Sequence, residues 1–390
     1  MLNNYNAAKV YLAEARTAFA LIGDHLGQAQ CTRSLGDVEY MLNNYNAAKQ
    51  YLVEARTAFA LFGDRLGQAQ CTQSLGDVEY MLDNYNAAKE YLADARTAFA
   101  LIGSRLGQAQ CTRALGNVEH MLDNYDAAKE YLVEARTAFA LIGDRLGQAQ
   151  CTQSLGNVEC MLNNYDAAKE YLVEARTAFA LFGDRLGQAQ CTRSLGNVER
   201  RLNNYNAAKE YLVEARTAFA LIGSRLGQAQ CTQSLGDVEH MLNNYDAAKE
   251  YLVEARTAFA LFGDRLGQAQ CTQSLGNVER RLNNYNAAKE YLAEARTAFA
   301  LIGDRLGQAQ CTRSLGNVEY MLDSYDAARE YLAEARTAFA LIGDRLGQAQ
   351  CTQSLGNVEH ALNNYNAAKK YLAEAQTAFA LIGDRLGQAQ

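Results

Sequence analysis

The sequence repeats itself every 40 residues. Tyr5, Tyr45, Tyr85, Tyr125 and onward to Tyr365 occupy one slot, and almost every other residue recurs in step with them. Fixed-period repetition at this length marks a solenoid, in which each unit packs only on its neighbours. Residues 1–390 therefore read as one continuous repeat domain, nine full periods and a 30-residue remainder, without linkers. The chain has no proline and is rich in Ala, Leu, Glu, Lys, Arg and Gln, which favours helix. Its hydrophobic share of 49% is enough for an ordered core.

One copy, residues 144–184, stands for all. Leu146, Ala149, Cys151, Leu155, Val158 and Leu162 fall on one side of a helix over about 145–162. Tyr165, Ala168, Leu172, Ala175, Phe179 and Phe182 recur at steps of three and four in a second helix. That second helix carries Ala167, Tyr171, Ala178 and Leu181 on a neighbouring apolar face. A helix apolar on two faces needs two neighbours, which predicts stacking between the first helix of its own repeat and that of the next. About 19 helices follow, and the fold class is all-α.

The punctuation agrees. Gly183 is placed to end the second helix in a left-handed conformation. Asp184, or Ser104 and Ser224 in two copies, is placed to cap the next first helix. The other turn holds Asn163-Asn164, with Asp83, Asp123 and the pair Asp323-Ser324 elsewhere. These residue types tolerate a left-handed turn or cap the following helix. Gly156 lies mid-helix, where glycine costs about 1 kcal/mol against alanine. It is expected to admit close approach of the second helix, with Ala168 and Ala175 opposite.

Leu155-Gly156-Asn157, Tyr165, Ala168 and Ala175 resemble the tetratricopeptide repeat, and the resemblance runs the whole length of the chain. The 40-residue period and the Gly-Asp-Arg turn are similar to the longer subclass in Partner-of-Inscuteable-type scaffolds. Near-identical arrays also follow the NTPase domains of some fungal NB-ARC or NACHT-like proteins. The chain departs from the family pattern at Thr152, Glu159 and Leu172, where aromatic residues are usual, and it lacks the terminal proline. The resemblance implies a right-handed superhelix whose first helices line a concave groove for an extended peptide or a partner helix.

On the first helix the copies differ chiefly along one stripe, while varied slots of the second helix, such as that of Val10, Gln50, Glu90 and Lys370, read as plain convex surface. The slots of residues 153, 157, 160 and 161 are separated by four, three and one, which puts them on one face. A constant glutamine lies beside them, as Gln110, Gln150, Gln190, Gln230 and Gln270. The 153 slot holds Arg113, Gln153, Arg193, Gln233, Gln273 and Arg313. The 157 slot holds Asn117, Asn157, Asn197, Asp237, Asn277 and Asn317. The 160 slot holds His120, Cys160, Arg200, His240, Arg280 and Tyr320, and the 161 slot includes Arg201 and Arg281. By resemblance this stripe lines the groove.

An asparagine ladder can donate to and accept from the backbone of an extended peptide. The arginines suit carboxylates, so the expected partner is a protein or peptide with acidic residues opposite Arg200 and Arg280. Tyr40, Tyr80 and His120 make the early stretch more aromatic, and Asp37 and Asp77 make it more acidic.

Other chemistry is not expected. The four histidines are His25, His120, His240 and His360, too far apart to share a metal. No phosphate-cradling loop, nucleophile elbow or zinc-protease motif occurs, so neither catalysis nor a cofactor is expected. A formal net charge of -7 argues against nucleic acid as partner. No apolar run is long enough to span a membrane. Nine cysteines share one slot and would form a ladder too widely spaced for disulfides, which suits a reducing, cytoplasmic setting. The sequence opens on a second helix and closes at Gln390, just inside a first helix. Uncapped ends predict either a piece of a longer protein or end-to-end self-association into filaments.

Overall fold

The computed structural model describes residues 4–382. Among them are nineteen α-helices and no strand. Second helices run from Tyr5–Leu21 and Tyr45–Leu61 to Tyr365–Ile382, and first helices from His25–Met41 to Arg345–Ala361. The partial first helix expected to end at Gln390 lies outside the described residues. The chain falls into two compact units, Met1–Val198 and Glu199–Gln390, which divide within the helix Arg185–Arg201.

Within each unit a second helix packs on the first helices before and after it. Two kinds of apolar cluster alternate. In one, Ala175 and Phe179 join Ala149 of their own repeat to Cys191 of the next. In the other, Ala128 and Leu132 meet Leu155 and Val158 of the following first helix. The need of the second helix for two neighbours is thus met by two separate clusters. The shared cysteine slot is buried throughout, and burial pushes thiols such as Cys151 up to about 12. They behave as small apolar core residues.

Leu146, Leu181 and Phe182 do not belong to this core. Leu181 is 81% exposed, Phe182 45% and Leu146 42%. The buried stripe of the second helix is Ala168, Leu172, Ala175 and Phe179. Leu181 lies two positions beyond Phe179, about 200° round the helix, and so points away from both clusters. Phe182 and Leu146 flank the turn at Gly183 or its equivalent, where the chain leaves the stack.

Both glycine predictions hold in outline. Gly183 ends its helix at φ 69°. A Cβ on Gly156 would lie 2.7 Å from Leu172 Cγ and 3.2 Å from the Ala168 carbonyl oxygen. Leu172, not Ala175, is therefore the opposing side chain. A second packing glycine is Gly147, whose Cβ would sit 2.5 Å from a ring carbon of Phe139.

The caps divide more finely than residue class suggests. The Asp144 carboxylate accepts from Gly147 N–H at 2.9 Å, and Ser104 and Ser224 do the same at 3.3 and 3.4 Å. Asn163 takes the left-handed position at φ 60°, and its Oδ1 accepts from the Tyr165 hydroxyl at 2.7 Å. An aspartate offers the same acceptor, hence Asp83, Asp123 and Asp323 in this slot. Asn164 stands at the cap position but does not cap. Its amide donates to Glu159 Oε2 at 2.8 Å. An aspartate there would set two carboxylates together, and the sequence never uses one. Asn163→Val should lower stability by about 1–2 kcal/mol, since a branched side chain disfavours positive φ, while Asn163→Gly should be nearly neutral. Urea denaturation midpoints of the two variants check this.

Candidate functional site

The variable stripe lies on first helices that also touch one another, His25–Met41 with Arg65–Met81 and onward through Arg145–Met161 in the first unit. The same holds from Arg225–Met241 to Arg345–Ala361 in the second. Apart from the exposed 161 slot, most of its side chains are half-buried, and several are tied to each other along the stack. Ser154 donates to Asn117 Oδ1 and Ser194 to Asn157 Oδ1, both at 3.1 Å. Gln153 donates to Gln190 Oε1, Gln233 to Gln270 and Gln273 to Gln310, each at 3.3 Å. Arg113 donates to Gln150, and Arg313 to Gln350. The asparagine ladder is thus partly used in joining repeats. The serine slot is constant apart from Ala114, so variation among the copies does not mark it.

Two recesses gather much of the stripe. In the first unit, Asn117, His120, Gln153, Asn157, Gln190 and Arg193 line a hollow of about 480 Å³ with Tyr80 and Ser154. In the second unit, a recess of about 1160 Å³ crosses five successive first helices. Arg201, His240, Gln273, Asn277, Arg280, Arg281, Arg313 and Asn317 line it, with Gln310, Ser314 and Gln350. Neither lining includes Gln110, Arg113, Gln150, Cys160, Asn197, Arg200, Gln230, Gln233, Asp237, Gln270 or Tyr320. Several of these serve the stack, Arg113 with Gln150 and Gln233 with Gln270. Tyr320 lies against Tyr325, as the lining residues His120 and His240 lie against Tyr125 and Tyr245, at ring centroid distances of 5.7 Å.

The second recess is electrostatically one-sided. No Asp or Glu is among its lining residues, whereas four arginines are. Burial, then Arg281 and Arg313, hold the Arg280 pKa below its usual value. Burial, Arg281 and Arg280 lower that of His240, whose buried Nε2 has no hydrogen-bond partner. Like charges crowded into a half-buried hollow favour an incoming anion.

The first unit carries the opposite sign at Asp37 and Asp77. Asp77 occupies the asparagine slot, and the residue that would give it a hydroxyl is Ala114. Burial raises its pKa to about 6, with Arg113 opposing and Asp37 adding to the shift. Asp237, which accepts from Ser274 at 3.1 Å, is also raised by burial. A carboxyl with a folded pKa above its unfolded one weakens the fold at neutral pH. That loss is recovered as pH falls through about 6 toward 4. Asp77→Asn should therefore stabilise by about 1–2 kcal/mol at pH 7 and by almost nothing at pH 4. Chemical denaturation at the two pH values checks this.

A buried ion-pair ladder runs behind the stripe. Glu159 is 2% exposed. Its Oε1 meets Lys129 Nζ of the preceding second helix at 2.6 Å, and Oε2 takes the Asn164 amide. Burial pushes its pKa up, but Lys129 and Asn164 outweigh burial and the net shift is down. In the sequence Glu159 stands out only as a departure from the usual aromatic residue. Its lysine lies 30 residues away, a pairing that no local pattern reveals.

The sequence profile of the tetratricopeptide repeat matches residues 108–181, 148–220, 188–260, 228–301, 268–340 and 308–380. The chain belongs to the tetratricopeptide repeat family. Among solved structures, this repeat chain is similar to the apo quorum sensor NprR from B. thuringiensis. The TM-score is 0.64 at 12% identity, over 88% of this chain and 99% of that one. A Pyrococcus horikoshii STAND protein with a tetratricopeptide repeat sensor aligns at TM-score 0.63 and 14% identity, over 91% of this chain and 54% of the other. The chain thus spans about half the length of that protein. The Rap conjugation gene regulator of plasmid pLS20, in complex with a Phr peptide, aligns at 0.59 and 16% identity, over 88% and 98%. At these identities the likeness is one of fold. No curated protein matches the sequence. No helix among the described residues is long and apolar enough to cross a membrane.

Proposed function

We propose that this tetratricopeptide repeat chain is a non-catalytic binding scaffold whose first-helix face holds an extended, acidic peptide segment. The observation that carries this reading is the arginine-lined recess of the second unit, without an acid in its lining, on a chain of net charge -7. A basic hollow on an acidic protein selects partners by local charge. The recess follows successive repeats, which suits a strand and not a compact molecule. First helices stacked roughly 9 Å apart would set about three extended residues against each repeat.

Arg280, Arg281 and Arg313 would take carboxylates, and Asn277 and Asn317 would pair with the ligand backbone through their amide N–H groups. A peptide in the Rap regulator, and a sensor role for the repeats of the STAND protein, are the analogies for ligand class and for use. Residues 1–390 are proposed to serve as one repeat domain, in a compartment that keeps the buried thiols reduced.

The test is fluorescence anisotropy with labelled peptides of about 12 residues that carry alternate Asp or Glu. Arg280→Glu with Arg313→Glu should weaken binding at least tenfold. Arg265→Glu with Arg305→Glu, exposed at the starts of two first helices, should leave it within twofold. Equal effects of the two pairs would remove the reading.

A further inference from the structure

The leucines that the core rejects are the most exposed large apolar residues of the chain. Leu61, Leu101, Leu141 and Leu181 in the first unit are 79–82% exposed, and Leu221, Leu261, Leu301 and Leu341 in the second are 79–84%. The slot is leucine in all ten copies. Leu186 and its equivalents, on the far side of the turn, are also leucine in every copy and 41–48% exposed from Leu66 to Leu346. Between them stands Phe182, or an isoleucine in its place. Each repeat thus ends in an apolar knob. Exposed slots of the second helix are of both kinds: Val10, Gln50, Glu90 and Lys370 share one that drifts, while those of Thr177 and Ala180 are constant.

The knobs stand beside hollows. Leu101 and Ile102 border a recess of about 470 Å³ with Ala69 and Ala98, and its other walls are Arg56, Arg65, Gln68, Thr72 and Asp94. Leu141 and Ile142 border its equivalent one repeat on, about 340 Å³, with Ala109 and Ala138 beside Arg105, Gln108, Thr112 and Glu134. Knob and hollow therefore alternate at the repeat spacing.

From this geometry we infer that the leucine edge is a lateral interface between two copies of this chain, with the leucines of one copy seated in the hollows of the other. The size of the patch supports it. If a fully exposed large aliphatic side chain offers roughly 100 Å², one unit presents on the order of 800 Å² of apolar surface along this edge. Stable complexes bury about 800 Å² per partner, and the largest apolar patch on an ordinary monomer is about 300–600 Å². Period supports it as well. A partner must match knobs that recur every 40 residues, and a second copy of the chain supplies that spacing without further adjustment. A two-fold pairing sets the same patch against itself, so it closes at the dimer. This edge is distinct from the arginine-lined face, so the pairing leaves that face open.

Sedimentation velocity of the whole chain over a hundredfold concentration range tests the inference. The native chain should pass from monomer to dimer and stop there. Leu61→Glu, Leu101→Glu and Leu141→Glu together should weaken the dimer at least a hundredfold while circular dichroism stays unchanged, because these side chains face solvent. Val53→Glu, Val133→Glu and Val173→Glu, also exposed, should leave the dimer intact. A chain that stays monomeric, a dimer that survives the leucine changes, or open-ended polymers would each overturn the inference. So would monomers that co-sediment with phosphatidylcholine vesicles through the same leucines. Peptide binding by the leucine variant, measured by anisotropy, should match that of the native chain, which keeps this test separate from that of the binding face.

Discussion

Phe259→Ala should lower the unfolding free energy of the second unit by about 3–5 kcal/mol. The ring is 1% exposed and joins Ala229 and Ala255 to Cys271 of the next repeat, so its loss opens a cavity at a junction between repeats. Stability in a repeat array is a sum of units and nearest-neighbour junctions. One failed junction should therefore split a single urea transition into two. The adjoining glycine gives an internal check. A Cβ on Gly267 would lie 2.7 Å from two ring carbons of Phe259. Gly267→Ala alone should destabilise by about 1–3 kcal/mol through overpacking. In the Phe259→Ala background the same methyl enters vacated space, so its effect should fall to near zero or change sign. A double-mutant cycle in urea reads this coupling directly. Additive effects would show that the ring and the glycine do not share one space.

Lys129→Met should have the second largest effect, a loss of about 2–3 kcal/mol at neutral pH. Removing one member of a buried pair leaves an unmatched carboxylate, which costs about 3–5 kcal/mol when both groups are buried. The lysine side chain is 42% exposed, and water offsets part of the loss. Asn164 would be the remaining donor to Glu159. Lys129→Met with Glu159→Leu should recover much of the loss, because a well-packed apolar pair can replace a buried ion pair. The pH dependence has a definite sign. Glu159 has a folded pKa below its usual value, so its contribution is complete above the unfolded pKa, about 4.3. It fades as pH falls below that. Asp77 acts in the opposite direction and at higher pH. Denaturant titrations from pH 3 to pH 8 separate the two carboxyls.

The stack was legible in the sequence because the period fixes it. A second helix with two apolar faces has few other ways to bury them, and Gly183 and Asp144 mark their turns by chemistry. Leu181 shows where periodicity stops informing. It lies in an apolar run at the end of a helix, and only the path of the chain after Gly183 shows that no neighbour reaches it. Asn164 was legible as a turn residue but not as the partner of Glu159, since that contact depends on which way an amide points. Variation among copies marked the arginine-lined face. It was silent on Ser154 and Gly147, which are constant among the complete copies of their helices apart from Ala114 in the serine slot. Both residues shape the site or its support. Slots that vary mark positions the stack does not fix, while constant slots need contacts to tell their roles apart.

A charge exchange tests the binding face most directly. The native chain should bind an acidic peptide of about 12 residues and not its lysine-substituted counterpart. The variant Arg280→Glu, Arg281→Glu and Arg313→Glu should reverse that preference, losing the acidic peptide at least a hundredfold and gaining the basic one. An unchanged affinity of this variant for the acidic peptide, measured by fluorescence anisotropy at one fixed salt concentration, would contradict the assignment of the face.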